Sequence, residues 1–81
     1  MAKMFDAHRE IIKEFIDEDI STINMYWGYK GDFVLKITTV DPILAFDIEK
    51  FAEEEMGIEA VTKQEPRTGL YDVFCIAVEN I

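Results

Sequence analysis

The chain has little of what most chemistry needs. Its one cysteine, Cys75, cannot form an internal disulfide, which suits a reducing compartment. Its one histidine, His8, falls short of the three or four ligands of a zinc centre. Ser21 is the only serine and has no neighbouring base to activate it. The glycines, at 28, 31, 57 and 69, all sit where turns or caps are expected, so no glycine-rich phosphate loop is present. No apolar run approaches the ~18 residues that would span a bilayer. The first residues, Met-Ala-Lys-Met-Phe-Asp, lack the apolar stretch of a signal peptide, so a cytoplasmic location is expected. Side-chain amides are confined to Asn24, Gln64 and Asn80, and with abundant Glu, Ile and Val this points toward a thermophile.

What remains is a small globular chain. Its 81 residues make one domain, 49% apolar and 31% charged, which excludes a disordered polymer. Seventeen acids against eight bases give a net charge of −9. A polyanion is repelled by phosphate backbones and anionic membranes, so neither nucleic acid nor a membrane is an expected partner. Cations and basic protein surfaces are.

The spacing predicts a helix over residues 3–18, with Phe5, His8, Ile12, Phe15 and Ile16 on one face and Lys13 able to pair with Asp17. Strands follow over 20–28 and 33–40, joined by a turn at Lys30 and Gly31. Asp41 and Pro42 are a helix start, and Gly57 ends that helix after Met56, with Leu44, Ile48, Phe51 and Ala52 as its buried stripe. Strands over 58–64 and 70–79 flank a turn at residues 65–69. The second and fourth strands are apolar on both faces and belong in the middle; the third is charged and belongs at an edge. The predicted fold is therefore α+β, in the order α-β-β-α-β-β, with a four-stranded antiparallel sheet of order 3-4-2-1 and both helices on one face. The halves 1–40 and 41–81 read as two αββ pseudo-repeats. A ferredoxin-like sheet with its first strand moved to the end has the same order, which implies no function.

Three features are candidate sites. The acidic runs Asp17, Glu18, Asp19 and Glu53, Glu54, Glu55 both fall at predicted helix C-termini, where the macrodipole disfavours carboxylates. Carboxylates beside free helix carbonyls gather hard oxygens of the kind Ca²⁺ takes, so each run is a candidate divalent-cation site. Antiparallel helices would set the runs at opposite ends, the first near Asp41 and Asp47. The second feature is aromatic: Met25, Tyr26, Trp27 and Tyr29 crowd the end of the first strand, and Ile43 and Phe46 lie off the main stripe of the second helix. With helices on one sheet face only, such residues form a second core layer, line a small-molecule pocket or meet a partner, and a homodimer partner or a basic protein is the expected cover. The third feature is the pair of lone reactive side chains. His8 is expected to be buried and hydrogen-bonded, and Cys75 to be a small buried apolar residue. No catalytic signature is present.

In length, in acidity and in the runs Asp17-Glu18-Asp19 and Glu53-Glu54-Glu55, the chain resembles small, acidic, uncharacterised α+β proteins of methanogenic archaea for which calcium binding has been suggested. That resemblance implies a weak Ca²⁺ site on an anionic patch.

Overall fold

The computed structural model describes residues 4–28 and 31–77. The first helix, α1 (Met4–Phe15), leads into β1 (Ile20–Trp27) and β2 (Phe33–Thr39). The second, α2 (Pro42–Lys50), continues through a π turn (Phe51–Glu55) into β3 (Glu59–Gln64) and β4 (Tyr71–Ala77). The strands form one antiparallel sheet in the order β1-β2-β4-β3, as the distribution of charge among them requires. Tyr29, Lys30, Val78 and Glu79, assigned above to a turn and a strand end, lie outside the described residues, as do residues 1–3.

Strand registry divides the sheet's side chains into two faces. Met25, Leu35, Cys75 and Ala60 form one row across all four strands; Tyr26, Val34, Ile76 and Glu59 form the next, on the opposite face. Both helices cover the first of these faces. Ile11 and Phe15 of α1, and Leu44, Ala45, Ile48 and Ala52 of α2, pack on Leu35, Ile37, Val73, Cys75 and Ala60. Fully burying one such aliphatic side chain stabilises the fold by ~1.5–3 kcal/mol. The helices lie chiefly over β2, β3 and β4, while from β1 Ile20 and Ile23 pack against the core.

Local signals at α2 act as their chemistry dictates. The Ile43 amide donates to Asp41 Oδ1 at 2.9 Å, and Pro42 occupies the first helical position, where no amide is needed. At the other end the helix widens. The Met56 amide donates to the Phe51 carbonyl and the Ile58 amide to that of Ala52, with Gly57 at φ 67° making the reversal.

The first helix is shorter than its periodicity predicts. It stops at Phe15, because the chain must turn within four residues to pair Ile20 with Thr39. The Glu18 amide closes that turn on the Phe15 carbonyl, and the Ile20 amide donates to Glu18. Three corrections follow. Ile16 leaves the apolar stripe and is 53% exposed, while Ile11 takes the central buried place. Asp17, Glu18 and Asp19 stand beyond the helix rather than in its last turn, so the macrodipole argument does not apply to them. Lys13 reaches back to Glu10 at 3.7 Å, an exposed pair of little energetic weight.

Candidate interaction surface

The strand β1 reads Ile-Ser-Thr-Ile-Asn-Met-Tyr-Trp. Its β-branched and aromatic side chains favour extended backbone. It is an edge strand, and in a chain of net charge −9 it carries no charge over eight residues. Ser21 is an extra residue in the ladder with β2, a bulge that lets Ile20 and Ile23 both pack against the core. Beyond the bulge, residues 22–27 pair with β2 in regular register. Among the described residues no strand pairs with the outer side of β1, so a row of backbone N–H and C=O groups faces outward there.

The three large residues at the end of β1 are exposed: Met25 49%, Tyr26 42% and Trp27 57%. Alternation splits them. Met25 and Trp27 point to the helix side, where the indole meets Phe33 edge-on at 4.9 Å between ring centroids, and Phe33 in turn meets His8 at 5.1 Å. Tyr26 points to the open face and lines a shallow depression of about 260 Å³ with Val34, Val61, Lys63, Phe74 and Ile76. Lys36 stands over the Phe74 ring at 5.9 Å, and the Thr38 hydroxyl donates to Asp72 at 2.7 Å, so the open face passes from an apolar end to a polar one. Phe46 shares neither surface. It is exposed on the outer side of α2, with Lys50 over its ring at 5.9 Å. The predicted aromatic group thus resolves into the two sides of one strand plus a separate helix residue, while Tyr29 lies outside the described residues.

The acidic runs do not meet. Asp17, Glu18 and Asp19 are exposed in the connection before β1, and Asp19 is held by its backbone. Its carbonyl accepts from the Thr39 hydroxyl at 2.7 Å, and the same hydroxyl oxygen accepts from the Asp41 amide at 3.2 Å. That places the first run near the start of α2, as expected. Glu53, Glu54 and Glu55 are exposed in the π turn. Glu54 and Glu55 share a cleft with Glu14, Asp47 and Lys50, floored by Phe15 and Phe51, whose rings meet edge-to-face at 5.5 Å. Asp47 thus belongs with the second run, not the first. Among the described residues no three acidic, histidine or cysteine side chains converge closely enough to hold a metal ion.

The two lone reactive residues are structural. His8 is buried, and its Nε2 lies 3.0 Å from the Cys75 carbonyl. A carbonyl only accepts, so Nε2 carries the proton in this contact. Cys75 is fully buried in the central strand β4, and its thiol is pushed up to about 12, first by burial and then by the Glu49 carboxylate. A thiol held neutral is not a nucleophile.

No family model matches the chain, and neither does any curated protein or solved structure. No described helix is long and apolar enough to cross a membrane.

Sequence reasoning named Met25, Tyr26 and Trp27 but not the open-face residues Val61, Phe74 and Ile76 that continue the surface from Tyr26. The signal was the two-sided apolar pattern of β4, which placed that strand centrally without saying which of its residues stay uncovered.

Proposed function

We propose that this chain is a small acidic interaction module that docks a basic protein partner on the β1 side of its sheet. The observation that carries the reading is β1 itself: three consecutive large apolar side chains, exposed on an uncharged edge strand, in a chain of net charge −9. Exposed aromatic residues beside anionic surface suit a partner that brings apolar anchors within a cationic surround.

The test is a titration of the ¹⁵N-labelled protein with a short lysine- and valine-containing peptide, and separately with polylysine. The valine peptide is expected to shift the amides of residues 22–27 and the Trp27 indole saturably. Polylysine is expected to give small shifts spread over the acidic surface. Indistinguishable responses to the two would mean charge attraction alone, and the reading would fall.

A second reading is a weak divalent-cation site, supported by the carboxylates of Glu14, Asp47, Glu54 and Glu55 along one cleft, although among the described residues they do not converge into a ligand set. Hard carboxylate oxygens suit Ca²⁺, although Lys50 on the same cleft opposes a cation. Saturable Ca²⁺-dependent shifts confined to those residues, or to Asp17, Glu18 and Asp19, would support it. Uniform, unsaturating shifts would remove it.

A further inference from the structure

Resting on the docking reading above, we infer that the partner binds β1 by strand addition: an extended segment pairs antiparallel with residues 22–27, its middle uncharged and its C-terminal end basic. Each part of that description comes from a feature of β1. The outer side of the strand offers main-chain donors and acceptors that no described strand uses, and six residues of regular register lie beyond the bulge at Ser21. An extended segment satisfies such a row directly, and alternate side chains then supply specificity. Antiparallel pairing is the more stable arrangement per residue.

The middle of the segment is uncharged because β1 is uncharged from Ile20 to Trp27 and offers no ion-pair partner there. On the open face its side chains would extend the apolar row of Tyr26, Val34 and Ile76. On the other face they would lie beside Met25 and Trp27, which the helical layer leaves exposed. The basic end follows from direction. Asp17, Glu18 and Asp19 stand exposed immediately before β1, so the end of an antiparallel segment that reaches them is its C-terminus. A second copy of this chain is the other natural occupant of an open edge. It would bring nine more net negative charges rather than a cationic end, and charge therefore favours the basic segment.

The probe is a peptide of alternating valine and threonine with a block of lysines at its C-terminus, followed by Trp27 emission and by the amide shifts of residues 22–27. Trp27 is the only tryptophan, so its emission reports on this edge alone. Moving the lysine block to the N-terminus is expected to weaken binding roughly tenfold, as is neutralising Asp17, Glu18 and Asp19 to their amides. Asp19 makes its structural contact through its carbonyl, so these variants keep the fold.

N-methylation supplies the decisive comparison, because alternate amides of an extended chain point to opposite sides. Two versions of the peptide are methylated on complementary alternate sets. Strand addition predicts that one set abolishes binding and the other spares it. If both bind like the parent, still shifting Trp27, the segment docks by side chains only; strand addition is then wrong while the docking reading stands. If no version moves residues 22–27, both readings fall. If sedimentation shows the peptide-free protein to be a dimer that protects the amides of 22–27, the occupant is a second copy and the proposal is overturned.

Discussion

The strands β1 and β3 are the two edges of one sheet, yet they meet water in opposite ways. In the row that crosses the helix-side face, β3 contributes Ala60, 4% exposed, and β1 contributes Met25, 49% exposed. The small residue lies beneath the helical layer, and the large one lies outside it. The outward residues of β3 include Glu59 and Lys63, and its Thr62 hydroxyl donates to Glu49 of α2 at 2.7 Å, which fastens the strand under the helix. The edge strand β1 carries no charge. Natural sheets blunt an edge with charge, a bulge or a cover. Here β3 has charge and cover, and β1 has one bulge at its start. That asymmetry between the two edges is what the docking proposal rests on.

A charge placed at each end of that row would test the asymmetry most severely. Ala60→Lys forces a long charged side chain into a packed place beneath the helices and is expected to cost at least ~3 kcal/mol, enough to unfold much of a domain this small. Met25→Lys, in the same row, is expected to change stability by less than ~0.5 kcal/mol. Urea denaturation of both variants decides it, and equal losses would mean that β1 is packed as tightly as β3.

The end of the open edge gives a smaller effect. A Cβ on Gly28 would overlap the Asp32 carboxylate, so Gly28→Ala must displace Asp32 and is expected to cost ~1–2 kcal/mol. The same substitution should disturb Trp27 next to it, read as a shift in its emission maximum. An unchanged urea midpoint would show that the turn gives way freely.

A pH-dependent effect belongs to the middle of the row. The Cys75 thiol is raised from 9.0 to about 12 in the folded protein, so its neutral form is the one the core accommodates. Its contribution to stability is therefore whole below pH 9 and is lost as pH rises toward 12, while the unfolded thiol ionises. Urea midpoints from pH 8 to 11 should fall more steeply for the native chain than for Cys75→Ala. Equal slopes would mean that the thiolate is tolerated where it stands.

Much of this was legible in the sequence. Charge on the third strand and apolar residues on both faces of the second and fourth fix the strand order without any long-range information. Asp41, Pro42 and Gly57 each mark a boundary because each has a local conformational preference. The end of α1 was not legible. Ile16 continues a helical period, and only the pairing of Ile20 with Thr39 requires the chain to leave the helix first. The candidate surface was half legible for a related reason. Composition marks Met25, Tyr26 and Trp27 as unusual in an acidic chain, but exposure depends on where the helices lie over the sheet. That is set by the packing of Ile11, Ile48 and their neighbours, not by β1.

The Thr39 hydroxyl has one hydrogen and gives it to the Asp19 carbonyl, while its oxygen receives the Asp41 amide. The side chain is completely buried, so water cannot substitute for either contact. One rotor thus latches the entrance of β1 to the first turn of α2, and neither can loosen alone. In hydrogen exchange the two segments would open as one unit, with a common opening free energy. The backbone of the acidic connection is then tied through Thr39 to the start of α2.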